Sequence, residues 1–267
     1  MSDLIGVVGA GRMGRGIALS YAYAGQRVVL VDLKERSESE RQQMIAAGKA
    51  ELRADLNFLA TVKLVDKDEV EDILTLINYH HRDSARDVLG KCPVIYEGVP
   101  EVMSAKEDAF AFISAVARKD AVVASTTSTF LVTELARLTG SPERFMNAHW
   151  LNPAHLMPLV EISKGEQTSA EAVAQLVASL EAIGKKPVVC NASPGYIVPR
   201  IQALAMNEAA RLVEEGVASA EDIDRAVRYG FGIRYAILGL LEFIDWGGGD
   251  ILYYASNYLS KAVDPRY

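Results

Sequence analysis

Short, unbroken apolar runs alternate with stretches of 3.6-residue period along the first two thirds of the chain, and beyond residue 192 only the helical period continues. The apolar runs at residues 4–8, 27–31, 74–79, 93–97, 121–125, 145–148, 158–162 and 186–190 predict strands, because each is about as long as a strand and is bounded by Gly, Pro or charged residues. Between them, residues 12–24, 37–56, 103–116 and 170–183 predict helices. Strands that are apolar throughout, alternating with helices, are the signature of a doubly wound parallel sheet covered on both faces. The sheet domain is expected to span residues 1–191.

From Ser193-Pro-Gly onward the periodicity predicts helices at 196–215, 219–229, 236–244 and 250–261, so residues 192–267 read as a separate all-helical domain. Ser219 suits a helix N-cap, and Asp222 three residues on has the sign for the reciprocal half of a capping box. Apolar positions are dense on several of these helices, which points to a homodimer formed through the helical domain; packing of the helices on one another explains the same pattern.

The first strand runs into Gly9-Ala-Gly11-Arg12-Met13-Gly14, a helix follows, and the second strand ends in Asp32. Three glycines in that spacing suit a tight turn, close approach of backbone to a pyrophosphate, and close packing of helix on sheet. The phosphates would meet free amides at a helix N-terminus. The fold class is therefore α/β, a Rossmann-like doubly wound sheet domain followed by an all-helical C-terminal domain. Asp32 suits a free ribose 2′-hydroxyl and repels a 2′-phosphate, so the expected cofactor is NAD rather than NADP. Lys34 and Arg36, just beyond, read as solvated surface residues.

Composition narrows the field. The 267 residues are 50% hydrophobic and 24% charged with a formal net charge of −7 and no Lys/Arg tract, which argues against nucleic-acid and membrane partners and for a small-molecule substrate. A strand beginning within four residues leaves no room for a signal peptide, and the expected location is cytoplasmic. Cys92 and Cys190 have neither metal-ligand spacing nor a disulfide framework, and no metal is expected.

Four segments place polar groups at strand ends, where open α/β sheets bind ligands. They are Glu97–Glu101, Ser125–Thr129, His149-Trp-Leu-Asn152 and Pro158–Glu161. Oxidation of a secondary alcohol needs a base for the hydroxyl proton, and histidine titrates in the useful range. His149 with Glu161 on the next strand reads as such a base and its orienting carboxylate; a buried histidine satisfied by a carboxylate reads the same way.

Together with Val99-Pro-Glu101, Ser125-Thr-Thr-Ser128, Pro142-Glu-Arg-Phe145, His149-Trp-Leu-Asn-Pro153, Leu159-Val-Glu161 and Ser193-Pro-Gly-Tyr-Ile-Val198, the glycine motif makes nearly the whole chain resemble the 3-hydroxyacyl-CoA dehydrogenase family. That family includes the L-gulonate 3-dehydrogenase, or lambda-crystallin, and carnitine dehydrogenase branch. The resemblance implies His149 as general base in oxidation and acid in reduction, Glu161 as its orienting partner, and Ser128 as hydrogen-bonding partner of the substrate oxygen. It places Asn152 beside the histidine, where a turn former before Pro153 is the independent reading. It also places Glu101 and Lys106 near the nicotinamide end of the cofactor.

Two departures stand out. Where the family usually has P-G-F-x-x-N-R, this chain has Pro194-Gly-Tyr-Ile-Val-Pro199-Arg200, so an amide able to donate to substrate has become a proline without a donor. Family members also generally continue into another glycine-rich, aromatic stretch, whereas this sequence stops at Val263-Asp-Pro-Arg-Tyr267, which leaves open an incomplete helical domain. Arg200 and Arg234 are candidate substrate contacts. Arg234, in a segment resembling the gulonate and carnitine branch, suits a free carboxylate or, alternatively, a salt bridge to Glu242. Lys49, Arg53 and Lys63 are available for coenzyme A but are interleaved with Glu51 and Asp55. The expected activity is NAD-dependent interconversion of a 3-hydroxyacyl and a 3-ketoacyl compound, with 3-hydroxybutyryl-CoA as default substrate. A free 3-hydroxy acid such as L-gulonate or carnitine is the alternative, and a non-catalytic, crystallin-like NAD-binding protein is a third.

Overall fold

The computed structural model describes residues 4–267, which divide into two compact units that meet in sequence between Arg200 and Ile201. The first unit is built on an eight-stranded sheet: β1 (Ile5–Val8), β2 (Val28–Asp32), β3 (Ile77–His81), β4 (Val94–Glu97), β5 (Val122–Ser125), β6 (Phe145–Trp150), β7 (Leu159–Lys164) and β8 (Lys186–Asn191). Their order is β3-β2-β1-β4-β5-β6-β7-β8, so the winding direction reverses between β1 and β4. Successive residues along the central strands enter opposite layers: Val7, Val28, Leu30, Val94 and Tyr96 join one core, and Val8, Val29, Val31 and Ile95 the other. Burial on both faces explains why these strands are apolar throughout.

The sheet departs from the expected parallel winding at one pair. β6 and β7 run antiparallel, joined by the short loop 151–158, with His149 directly opposite Glu161. No crossover helix separates them, and two strands joined by so few residues can only pair antiparallel. Lys185 anchors that loop by donating to the Ala154 and Met157 carbonyl oxygens at 2.7 and 2.9 Å.

The predicted helices at 12–24, 37–56 and 170–183 are found as Arg12–Tyr23, Glu38–Thr61 and Ala170–Glu181, and Met103–Val116 matches in full. Ser37 closes a capping box with Glu40. The strand read at 74–79 is corrected: Val70–Thr75 is helical, its buried Val70, Ile73 and Leu74 forming the apolar face, and the strand starts at Ile77. The helix Arg82–Leu89 was not anticipated, because its polar sequence buries only Ala85 and Leu89.

In the second unit, Ser219 caps the helix Ala220–Val227 and accepts from the Asp222 amide. The helix read at 236–244 is corrected to Leu240–Gly247, after a π-turn at Arg228–Gly232 and a short helical turn at Ile233–Tyr235. The helical path runs unbroken from Ala220 through Gly230 and Gly232 to Tyr235, so the segment read as ending at residue 229 continues six residues further, and the next helix starts only after Gly239. Residues 201–267 contain one buried apolar side chain, Ile223, while Ile237, Leu241 and Trp246 are 85, 77 and 77% exposed. No helix among the described residues is long and apolar enough to cross a membrane.

Candidate active site

The cofactor cleft opens at the carboxyl ends of β1 and β4, where the strand order reverses. Gly9, Gly11, Arg12, Met13 and Asp32 line it together with Gly98, Val99, Glu101 and Ser128, around a volume of about 650 Å³. Gly9 has φ +115°, and a Cβ on Gly14 would drive into the Gly9 carbonyl oxygen, so the turn folds only around glycine at both places. The space above Gly11 is open and the helix Arg12–Tyr23 begins there. A bare backbone at a helix N-terminus, facing an open cleft that ends in a carboxylate, fits a dinucleotide pyrophosphate and ribose.

Asp32 is 8% exposed and is not free. Arg36 donates to it from Nε at 2.6 Å, and the Lys34 amide at 3.3 Å. The reading of Arg36 as merely solvated is therefore corrected: it neutralises the carboxylate within the wall of the cleft.

A buried ionic cluster supports the floor between β4 and β5. Glu97 and Lys106 are both fully buried. Lys106 Nζ lies 3.1–3.2 Å from both Glu97 oxygens and 3.2 Å from Glu101 Oε2, and Ser125 Oγ donates to Glu97 at 2.6 Å. Lys106 thus stands behind the cleft wall, and Glu101 alone of the pair reaches the surface of the cleft. Glu101 also organises the turn that carries Ser128. Its Oε1 accepts from the hydroxyls of Thr127 and Thr129 and from the amides of Ser128 and Thr129. Burial opposes ionisation of Glu101, but the two threonine hydroxyls and the Lys106 ammonium outweigh it and hold its carboxyl down at about 2.

His149 sits on β6, two strands beyond β4, and is buried. Its Nδ1 lies 2.9 Å from Glu161 Oε2 across the antiparallel pair. Glu161 is fully buried, and its other oxygen accepts from the amides of Ile197 and Val198 at 2.9 and 2.8 Å. Those two amides begin the helix Val198–Glu214, whose first N–H groups lack partners within the helix. Glu161 therefore satisfies a helix start and an imidazole at once, and the arrangement requires an acceptor at every contact. With Nδ1 donating to Glu161, Nε2 is the ring nitrogen left to exchange a proton. Tyr196, just before that helix, stacks on the imidazole with ring centroids 4.9 Å apart and planes 16° apart. Burial pushes its phenol well up, which keeps its hydroxyl a donor.

The structure thus gathers Ser128, His149 and Glu161 at the carboxyl ends of β5 and β6 and on the partner strand β7. Asn152 is exposed in the loop after β6, in a turn before Pro153. Arg200 is exposed and reaches Ser193 Oγ at 3.4 Å. Arg234 belongs to the second unit, where its guanidinium covers the Phe243 ring at 3.7 Å. The salt bridge to Glu242 does not form, because Glu242 accepts from the Gly239 amide to cap its own helix. Of the basic residues weighed for coenzyme A, Arg53 pairs with Glu71 through two hydrogen bonds. The sequence gives no role to Tyr196 or Asn147, and marks Glu97 only as a polar group at a strand end. Tyr196 lies within the Ser193–Val198 motif and Glu97 at the end of a strand, but an aromatic ring and a strand-end acid do not announce their partners.

The model of the 3-hydroxyacyl-CoA dehydrogenase NAD binding domain matches residues 4–193, and that of the 3-hydroxyacyl-CoA dehydrogenase C-terminal domain matches residues 195–267. A 5-formyl-3-hydroxy-2-methylpyridine 4-carboxylate 5-dehydrogenase of Mesorhizobium japonicum is 30% identical over 98% of this chain and 81% of its own. A probable 3-hydroxybutyryl-CoA dehydrogenase of Deinococcus radiodurans is 34% identical over 90% of this chain and 82% of its own. The crystal structure of (S)-3-hydroxybutyryl-CoA dehydrogenase PaaH1 from Ralstonia eutropha superposes with a TM-score of 0.75 at 31% identity, covering 86% of this chain and 78% of that one.

Proposed function

The chain belongs to the 3-hydroxyacyl-CoA dehydrogenase family, and we propose that within it this protein interconverts a short (S)-3-hydroxyacyl-CoA and its 3-ketoacyl-CoA, with 3-hydroxybutyryl-CoA as the substrate to try first. It is an NAD-dependent oxidoreductase acting on a CH–OH group. The observation that carries the chemistry is the buried His149–Glu161 pair, with Ser128 on the adjacent strand end. When bound, NAD supplies a nicotinamide ring able to accept hydride from the carbinol carbon. The Gly9–Gly14 turn would hold its pyrophosphate and Asp32 its adenosine ribose.

In oxidation, Nε2 of His149 takes the hydroxyl proton, and Glu161 stabilises the imidazolium that results. Ser128 holds the same oxygen as it becomes a carbonyl. In reduction the imidazolium returns the proton. Glu101, by tying the Ser128 turn to the buried Lys106 and Glu97, keeps the serine in register with the cleft.

A second reading has its own support. Pro199 offers no donor where the resembling family has an amide, and the Mesorhizobium relative is named for a small carboxylate rather than a thioester. On that reading the substrate is a free 3-hydroxy acid, with Arg200 or Arg234 holding its carboxylate. We further assign the helical unit to substrate binding and homodimer formation, supported by its exposed Ile237, Leu241 and Trp246, and a cytoplasmic setting to the whole.

NAD-dependent turnover of 3-hydroxybutyryl-CoA, L-gulonate and carnitine decides between the readings. Thioester turnover that survives Arg234→Met and improves with Pro199→Asn supports the first. Activity confined to a free acid, with a strongly raised KM in Arg234→Met, establishes the second.

A further inference from the structure

We propose that Tyr196 is a positioning residue for the acid–base pair: its ring sets the plane of the His149 imidazole, and its hydroxyl locks that plane to the turn carrying Ser128. The inference rests on His149 being the acid–base group. The hydrogen bond from Nδ1 to Glu161 fixes one end of the imidazole but leaves the ring free to pivot about the line joining the two atoms. Nε2 would then sweep an arc, and a base that wanders loses alignment with the hydroxyl it must deprotonate. A stacked neighbour removes that freedom. The Tyr196 ring lies on the imidazole at 4.9 Å and 16°, and Tyr196 is itself 6% exposed, so it has no room to turn away.

The hydroxyl of Tyr196 extends this control to the serine. It donates to the Thr127 carbonyl oxygen at 2.8 Å and accepts from Asn147 Nδ2 at 3.1 Å. Thr127 immediately precedes Ser128, and Asn147 lies two residues before His149 on the same face of β6. One side chain therefore touches the base, the strand that carries it and the turn that carries its partner. The backbone supports the same view. Tyr196 has φ +49°, a left-handed conformation unusual for an aromatic residue, sustained by what lies on either side. The residues after it, Ile197 and Val198, donate their amides to Glu161. The chain turns at Tyr196 so that its ring covers the imidazole while the next two amides hold the imidazole's carboxylate.

The test uses Tyr196→Leu, Tyr196→Phe, His149→Asn and the double variant Tyr196→Leu/His149→Asn, with whichever of the three hydroxy substrates the wild type oxidises. Thermal midpoints and NADH affinity, by nicotinamide fluorescence, are measured alongside. Tyr196→Leu is expected to lower kcat by about 10- to 100-fold, the scale of a misplaced catalytic group, with KM and NADH affinity little changed. Tyr196→Phe, which keeps the stack and loses the tether, is expected to lose about three- to tenfold, the scale of one hydrogen bond. In the His149→Asn background the leucine change should cost less than about twofold, because a residue acting through the imidazole has nothing left to position. The same loss of kcat with and without His149 would overturn the proposal, as would a Tyr196→Leu variant with wild-type kcat. If Tyr196→Leu does not fold, Tyr196→Phe combined with His149→Asn decides by the same comparison. A His149→Asn variant with wild-type turnover would refute instead the acid–base assignment on which the proposal stands.

Discussion

Glutamine in place of Glu161 should invert the imidazole tautomer, and the hydrogen bonds say why. One oxygen of Glu161 accepts from the Ile197 and Val198 amides and the other faces His149 Nδ1. The glutamine carbonyl must take the first position, because an NH₂ there would set a donor against two partly buried amides and leave both without their acceptor, at up to about 1–3 kcal/mol each. Its NH₂ then faces Nδ1. Two donors cannot share that contact, so Nδ1 carries the lone pair and the proton moves to Nε2, the nitrogen that should receive one.

Loss of a charge-assisted bond to the imidazolium alone is worth about 1.5–3 kcal/mol, or roughly 10- to 100-fold in rate. Tautomer inversion in a serine–histidine–aspartate triad costs about 10⁴-fold. The expected loss in kcat for Glu161→Gln is therefore about 10²- to 10⁴-fold in both directions, with NADH affinity unchanged. Steady-state NADH absorbance in oxidation and reduction, across neutral pH, measures it. A Glu161→Gln enzyme with kcat within about threefold of wild type and an unaltered pH profile would refute the reasoning and leave Glu161 as a helix cap.

Other consequences follow from the same geometry. Asp32→Ala should narrow the preference for NADH over NADPH by about tenfold, by ending the repulsion of a 2′-phosphate and releasing Arg36 toward it, and the double change with Arg36→Ala should narrow it less; affinities for ADP and 2′-phospho-ADP by calorimetry separate the two contributions. Lys106→Met leaves the Glu97 and Glu101 carboxylates uncompensated and should destabilise the fold by about 3–5 kcal/mol, seen as a lowered urea midpoint; an unchanged midpoint would contradict the burial argument. Glu101, with its carboxyl held at about 2 in the folded chain, below its value of about 4.3 in an unfolded one, contributes stability that is present above pH ~4.3 and is lost as pH falls toward 2. The stability deficit of Glu101→Gln should therefore shrink over that interval, and a pH-independent deficit would show that its hydrogen bonds, not its charge, matter.

The sequence carries the parts of the fold that repeat locally. Strands buried on both faces announce themselves as apolar runs, and the Gly9–Gly14 spacing with Asp32 reports the cleft because close backbone approach leaves no alternative to glycine. The antiparallel turn at β6–β7 was hidden, since a strand's apolar pattern is the same whichever way it runs, and only the shortness of the 151–158 loop bore on direction. His149 and Glu161 were legible as residue types, whereas their directly opposed register became visible only with the sheet assembled. The partners of Lys106 and Tyr196 were hidden for a related reason. A lysine's place on a helix does not show the three carboxylate oxygens that surround it, and a tyrosine after a glycine says nothing of the imidazole it covers. The helix boundaries within 228–247 were misplaced, because a 3.6-residue period does not register a π-turn, through which the helical path continues to Tyr235.

The central claim, that His149 is the proton acceptor of an NAD-dependent alcohol oxidation, is tested most directly by comparing wild type with His149→Asn for turnover and NADH binding in one set of preparations. The account predicts a fall in kcat of about 10²- to 10⁴-fold, the usual worth of general acid–base catalysis, with the NADH dissociation constant and thermal midpoint essentially unmoved. A His149→Asn protein that oxidises the substrate at the wild-type rate would contradict it.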